Sequence, residues 1–445
     1  MRRILIISYF FAPKNEIGAV RISKFVKYLV RLGWEVDVVT YKPNPYLPLE
    51  SKQDTTLMCE EFNEISINNI DFPRSLNILY KLREQIGKSN LSNKNNSYAN
   101  LEIKPTVLNL NKILSTYKFL LTTYTFTRAG KKVSNLKDNY DVVFSSYGPY
   151  SMLDLGLYYS KKYPTAVYIQ DIRDDIVYLV DKSNKLLYRI KSYLEQRMLK
   201  NVDGIVIASE EAMGSYRESV RTYEVTNGFD NDDRNLVSDN SLFKDGYFHI
   251  YYGGRIYPKQ DVSMLVEAIK KSGLAEKIKI HYAGKDFQEF VVSFKREKLE
   301  QIVINHGFIE RQESLRLQEK CNALLLLSWN NTLEKGMITG KAFELISSKR
   351  PIICLITGNI GDSRLEEIFS EDEYRECFYY HLGNKDLERI QIYLKKLICL
   401  SEDKNINYTE IIKSSKSYEE YSYLNLTMKL NRIFEEEIKK KVDET

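Results

Sequence analysis

The residues best placed to do chemistry in this 445-residue chain lie in Glu334-Lys335-Gly336-Met337-Ile338-Thr339-Gly340-Lys341-Ala342-Phe343-Glu344. The apolar spacing that continues through Leu345 and Ile346 predicts a helix with Thr339 as N-cap, so that Gly340 and Lys341 form its first turn. A cation there opposes the helix dipole, and an anionic ligand would offset it. The amides of Gly340 and Lys341, the Thr339 hydroxyl and the Lys341 ammonium together describe a phosphate site. Glu344 lies two positions past Ala342, where a capping box would place its carboxylate, so capping does not explain it. It could accept both hydroxyls of a ribose; the plainer alternative is a salt-bridging Glu on an ordinary helix.

Three further loops carry charge or glycine where a strand ends. In Gly253-Gly254-Arg255-Ile256-Tyr257-Pro258-Lys259, two cations four residues apart suit a pyrophosphate, held by a forked guanidinium and a point-charge ammonium, or else make a solvated basic turn. Ile17-Gly18-Ala19-Val20-Arg21 opens a helix after the first strand, as a ligand loop or a structural turn, and it is not the G-x-G-x-x-G of dinucleotide sites. Asp171-Ile172-Arg173-Asp174-Asp175 is open to three roles: catalytic acid, ligand of an acceptor hydroxyl, and structural ion pair. All four histidines (His249, His281, His306, His381) lie in the second half, three of them at strands where packing is the usual reason, so an imidazole base from the first half is excluded. Cys59, Cys321, Cys354, Cys377 and Cys399 form no C-x-x-C pair and have no metal-ligand spacing; they read as buried thiols in a reducing compartment. No metal site, Walker loop or nucleophile elbow is present in the sequence.

The elements that must hold these loops are strands alternating with helical stretches. The first series is Arg3 to Ser8, Glu35 to Thr40, Asp141 to Ser146, Ala166 to Gln170, Gly204 to Ala208 and Tyr223 to Thr226. The second is Phe248 to Tyr252, Ile278 to Ala283, Ile302 to His306, Ala323 to Leu327 and Pro351 to Leu355. This is an α/β pattern of two parallel-sheet domains, 1–230 and 231–415, with a polar linker from Asp230. Ligands of open parallel sheets bind outside the carboxyl ends of the strands, where the charged loops fall. Lys88 to Asn100, rich in Asn, Ser and Lys, reads as a mobile surface loop. Residues 416–445 read as a terminal helix that docks through Tyr421, Leu424, Met428, Leu430 and Ile433.

Composition places the chain among soluble globular proteins, with 43% hydrophobic and 28% charged residues. Charge is uneven: residues 1–230 carry +7 and residues 231–445 carry −2, while residues 74–137 hold 12 Lys and Arg against 2 acids. An anionic surface or substrate is expected there. Leu108 to Lys132 interleaves Tyr117, Phe119, Tyr124 and Phe126 with Lys112, Lys118, Arg128, Lys131 and Lys132, a composition that suits an anionic membrane surface or plain core packing with a solvated face. The start reads as a strand rather than a signal peptide, and no apolar run is long enough to span a bilayer. The expected location is cytoplasmic, peripheral on the inner face of the membrane if the basic stretch binds it.

In order and spacing, Gly18-Ala19-x-Arg21, Asp171-Ile172-Arg173-Asp174, Thr226-Asn227-Gly228-Phe229-Asp230, Gly254-Arg255-x-x-x-Lys259, Ala283-Gly284, Gly307-Phe308-Ile309 and Thr339-Gly340-Lys341-x-Phe343-Glu344 resemble the retaining glycosyltransferases of family 4, over nearly the whole chain. The resemblance implies a GT-B fold, two Rossmann-like domains facing across a cleft with the C-terminal helix crossing back to the first. It implies transfer of a sugar from a nucleotide-diphosphate sugar to a glycan or polyprenyl-pyrophosphate-linked acceptor in cell-surface polysaccharide synthesis, without metal or other cofactor. Arg255 and Lys259 would hold the diphosphate, Glu344 the ribose, and the amides near Thr339 and Gly340 the distal phosphate. Gly18 would let its loop close over the donor, and Arg21, Asp171, Arg173 and Asp174 would lie on the acceptor side. The family's first glutamate is replaced by Gly336, with Glu334 two residues earlier as a substitute contact for the donor sugar. A nucleotide-sugar epimerase of the same fold and a non-catalytic nucleotide-sugar-binding partner are the alternatives.

Overall fold

A computed structural model describes residues 1–14, 17–43, 54–73, 76, 105–173, 184–209, 216, 218, 220–235, 242–332, 335, 338–348, 350–370, 373–402 and 419–444. The Lys88 to Asn100 loop lies outside the described residues. The chain packs into two compact units. The first comprises Met1–Ala208, Met213–Val225 and Thr427–Thr445; the second comprises Ser209–Ala212 and Thr226–Leu426.

In the first unit, β1 (Arg3–Ile7), β2 (Glu35–Tyr41), β3 (Ser66–Ile70), β4 (Val142–Ser146), β5 (Val167–Ile172), β6 (Gly204–Ile207) and β7 (Thr222–Glu224) form one sheet in the order β3-β2-β1-β4-β5-β6-β7. Every neighbouring pair is parallel. Ile4 to Ile7 and Val142 to Phe144 are fully buried because helices cover both faces, which is why these strands read as continuous apolar runs. β3, with the sequence SINNI, pairs with β2 at the sheet edge and lacks such a run, so hydrophobic patterning does not reveal it. Three helices matter below: α1 (Ile17–Arg31), α2 (Pro105–Gly130) and α3 (Ser151–Lys162). α2 lies on α3 closely enough that a Cβ at Gly130 would meet Leu155 at 2.4 Å.

In the second unit, β8 (Phe248–Gly253), β9 (Ile278–Ala283), β10 (Val303–Asn305), β11 (Ala323–Asn330), β12 (Ile352–Gly358) and β13 (Arg375–Tyr379) form a parallel sheet in the order β10-β9-β8-β11-β12-β13. Both sheets therefore reverse direction beside their first strand, between β1 and β4 and between β8 and β11. β13 was not expected: its sequence RECFY interrupts the apolar run with Arg375, whose guanidinium is buried and donates to the Ile346 carbonyl at 2.9 Å.

The passage between the units falls at Val225 and Thr226 rather than at residue 230, because the next residues are bound into the second unit. Phe229 pairs its backbone with Tyr421 and Tyr423, and Asp233 is ion-paired to Arg311 at 2.8 Å. A Cβ at Gly228 would lie 2.4 Å from the Tyr421 carbonyl oxygen, which accounts for glycine in the Thr226 to Asp230 motif. The terminal helix (Tyr423–Asp443) begins in the second unit and belongs to the first from Thr427. Its buried face is Leu426, Leu430, Ile433, Phe434 and Ile438, with Phe434 against Trp34 and Phe144; Leu430 and Ile433 are buried as expected, whereas Leu424 and Met428 face solvent. Cys321, Cys354 and Cys377 are buried thiols as expected, whereas Cys59 is half-buried and Cys399 exposed.

Three histidines form a hydrogen-bonded chain across β8, β9 and the end of β10. Asp245 Oδ1 meets His249 Nε2 at 2.7 Å, His249 Nδ1 meets His281 Nε2 at 2.8 Å, and His281 Nδ1 meets His306 Nε2 at 2.9 Å. The Asp245 carboxylate only accepts, so it fixes every tautomer: each Nε2 carries the proton and each Nδ1 accepts. Burial depresses the His281 pKa to about 4, with His249 and His306 adding to the effect and Asp245 opposing it. A base depressed on folding contributes stability that is complete above its unfolded pKa of about 6.5 and is lost as pH falls toward the folded value. The melting temperature is therefore expected to fall as pH is lowered from about 7 to about 4.5. His281→Gln, which can still hydrogen-bond, should flatten that dependence; an unchanged slope would show that another group is titrating.

Candidate functional site

At the reversal in the first unit, the charged residues are turned inward. Arg21 of α1 reaches Asp171 of β5 with Nη2 to Oδ1 at 2.8 Å and Nε to Oδ1 at 3.1 Å, both side chains essentially without solvent exposure. Arg21 Nη2 also donates to the Val225 carbonyl at 2.8 Å, and the Ser146 hydroxyl donates to Asp171 Oδ2 at 2.8 Å. Of the three roles open to Asp171, this geometry supplies the structural ion pair. Arg173 donates to the carbonyls of Gly18 at 3.2 Å and Tyr147 at 2.8 Å, pinning the loops after β1 and β4 together. Gly18 is buried beneath it: a Cβ there would lie 2.7 Å from Arg173 Nη1 and 3.0 Å from the Phe10 ring. Its missing side chain admits the guanidinium. Asp174 lies outside the described residues.

At the reversal in the second unit, the backbone is tied down and the cations are left outward. Gly254 N donates to the Ala283 carbonyl at 2.7 Å, the Tyr252 hydroxyl to the Arg255 carbonyl at 2.7 Å, and Ile256 N to Asp286 Oδ2 at 2.9 Å. Gln260 Nε2 reaches the Leu327 carbonyl at 2.6 Å, and the Thr357 hydroxyl donates to the Lys259 carbonyl. The loop is thus preformed, with Arg255 and Lys259 exposed on it. Among the described residues no carboxylate pairs with Arg255. The Lys259 ammonium lies 5.8 Å from the centre of the Trp329 ring, which Tyr257 also meets.

The helix α8 is reached through α4 (Lys185–Leu199), α5 (Ser263–Lys271), α6 (Phe287–Arg296) and α7 (Arg311–Lys320), and itself runs Gly340–Ser347 with Thr339 as N-cap. The cap is made by the backbone, Ala342 N to the Thr339 carbonyl at 3.0 Å, without a side-chain bond from the hydroxyl. The first-turn amides of Gly340 and Lys341 have no intrahelical acceptor, and the turn contains no acid. Lys341 folds back toward β8. Its Nζ lies 5.0 Å from the Tyr252 ring centre and would be 2.6 Å from a Cβ at Gly254, whose φ of +120° glycine alone adopts readily. Burial lowers its pKa to about 8, opposed by the Glu344 carboxylate. Glu344 is oriented by Gln318 Nε2 at 2.9 Å and stands 3.7 Å from Arg311 Nε, whose other end holds Asp233. Glu334 and Gly336 lie outside the described residues.

Sequence reasoning did not find Tyr252, Gln318, Arg311 or Trp329. Trp329 was hidden because β11 continues to Asn330, three residues beyond its expected end. Arg311 and Gln318 share one face of α7, seven residues apart, but nothing local connects that face to Glu344.

The two sheets and their strand orders are those of the GT-B fold. The sequence matches no protein-family model and no curated protein. It is similar in structure to sucrose-phosphate synthase from Thermosynechococcus elongatus (TM-score 0.57, 13% identity, 98% of this chain and 99% of that chain covered). It is likewise similar to the N-terminal domain of Candida albicans trehalose-6-phosphate phosphatase (TM-score 0.60, 11% identity, 98% and 99% covered). Anabaena HepE, solved in complex with UDP and glucose, matches with a TM-score of 0.53 at 12% identity, covering 98% of this chain and 100% of that chain.

The buried pair of the first unit gives a direct test of its role. Asp171→Ala, which strands the Arg21 charge, is expected to cost about 3–5 kcal/mol in urea unfolding. Joint replacement by Arg21→Met and Asp171→Leu should recover most of that loss. A near-neutral Asp171→Ala would show that the pair does not hold the loops.

Proposed function

We propose that the protein is a glycosyltransferase that binds a nucleotide-diphosphate sugar at the β8 and α8 loops of its second unit. The observation that carries this reading is the convergence of Lys341 on Gly254 at the strand-order reversal, beside the open amides of α8. A half-buried ammonium that has no hydrogen-bonded acid among the described residues, next to a glycine that lets a ligand approach the backbone, suits the oxygens of a diphosphate. Arg255 and Lys259 on their fixed loop add charge to the same end of β8. Glu344, held by Gln318, supplies a carboxylate for ribose hydroxyls. The structural likeness to HepE, whose own complex holds UDP and glucose, supports a nucleotide donor.

On this reading the bond from the sugar's anomeric carbon to the β-phosphate oxygen breaks as an acceptor hydroxyl bonds to that carbon from the same face. The departing phosphate takes the acceptor's proton, and configuration is retained. Arg255, Lys259, Lys341 and the α8 amides meet the charge that develops on the leaving diphosphate, so the reading requires no metal. The acceptor is a glycan or polyprenyl-pyrophosphate-linked oligosaccharide of a cell-surface polysaccharide, met at the cytoplasmic side of the membrane.

Titration calorimetry with UDP, GDP and ADP, without metal, tests the donor site. One nucleotide is expected to bind, with affinity reduced about tenfold or more in Lys341→Ala and in Lys259→Ala, as for a lost charge-assisted contact of about 1.5–3 kcal/mol. Gly254→Ala should weaken binding as well, by displacing the Lys341 ammonium. Affinity should also decline as pH is raised from about 7 to about 9, because Lys341 loses its proton in that range. Failure of every nucleotide to bind would overturn the reading.

A further inference from the structure

We infer that the outer faces of α2 and α4 form a docking surface for an anionic lipid bilayer. The inference does not depend on the nucleotide site.

α2 carries apolar residues on more than one face, so packing along a single face leaves some of them without cover. One side has that cover: Phe126 is buried against the first unit, and Tyr41 donates its hydroxyl to the Phe126 carbonyl. The other side does not. Ile113, Tyr117, Leu120 and Tyr124, spaced at four, three and four residues, fall within about 60° of one another around the helix at 100° per residue. With Leu114 they are 45–61% exposed.

α4 lies beside this face. Its N-cap Asn184 donates from Nδ2 to the Lys112 carbonyl at 3.1 Å and to the Ser115 hydroxyl at 3.0 Å, and the Lys191 ammonium rests 5.3 Å from the Phe119 ring centre. α4 adds Leu186 and Tyr193, 58% and 66% exposed, on one stripe with Arg189 and Arg197. Together the stretches 105–132 and 185–200 carry ten Lys and Arg against one acid, Glu195, which accepts from the Tyr216 hydroxyl at 2.6 Å.

A protein partner for such a patch would need acids set opposite each cation. A bilayer of anionic lipids offers apolar depth for the Tyr and Leu side chains and a continuous negative surface for the flanking cations. Among the described residues no helix is long and apolar enough to cross a membrane, so the contact would be interfacial.

The experiment is vesicle flotation of the full chain, with phosphatidylcholine alone and with about 30% phosphatidylglycerol. Binding is expected only to the anionic vesicles and should fall as salt is raised toward 1 M, where the Debye length is about 3 Å. Joint Arg128→Gln, Lys132→Gln and Arg189→Gln, and separately joint Tyr117→Ser, Leu120→Ser and Tyr124→Ser, should each reduce vesicle affinity about tenfold or more. An unchanged melting temperature would show that both variants remain folded. Equal binding to neutral vesicles, no binding to either kind, or retention by both variants would overturn the inference. So would a serine variant that instead converts a dimer to a monomer in light scattering, since a second copy would then be the occupant.

Discussion

The reversal of strand order beside β1 and again beside β8 is the constraint on which the rest of the molecule depends. Successive crossovers in a parallel sheet keep one hand, so building outward in both directions from a first strand sends consecutive connections to opposite faces. The loops after β1 and β4, and after β8 and β11, must therefore part at the carboxyl ends of the strands. Each gap has to be filled by the protein or left for a ligand.

The two units fill it in opposite ways. In the first, Arg21 and Asp171 neutralise each other out of solvent, and Arg173 spends its donors on the carbonyls of Gly18 and Tyr147. Such a junction is closed electrostatically and sterically, since Gly18 and Gly148 both lie against the Arg173 guanidinium. In the second, the hydrogen bonds of the β8 loop are made by backbone groups and by Gln260, Tyr252 and Asp286. Its cationic side chains are consequently not consumed in holding the loop. Exposed positive charge on a fixed loop is what an anionic ligand can use, and this contrast supports the proposed donor site in the second unit.

Burial elsewhere follows the same logic of paired polar groups. The Asp245, His249, His281 and His306 chain satisfies buried ring nitrogens one by one across adjacent strands, with the single carboxylate setting its direction. The Asp233, Arg311, Glu344 and Gln318 network joins the segment after the inter-unit passage to the helix that carries Lys341. Gln318 and Arg311 thus help to fix Glu344, whose place beside Lys341 is as much a product of α7 as of its own helix.

Much of this architecture is legible from the sequence because it is encoded by near neighbours. Apolar runs fix eleven of the strands, the Thr339-Gly340-Lys341 order fixes where α8 begins, and glycine beside cations after a strand marks the β8 loop. The polar edge strands β3 and β13 are held by register with β2 and β12, so their own residues carry no signal. The docking face of the terminal helix is similarly ambiguous, because two apolar stripes coexist and only packing on Trp34 and Phe144 selects one. Tertiary structure alone decided the partners of the charges: that Arg21 would meet Asp171, that three histidines would form one hydrogen-bonded chain, and that Lys341 would fold onto Gly254. Those pairings join residues 25 to 150 positions apart through the order of strands in a sheet, and no periodicity along the chain reports that order.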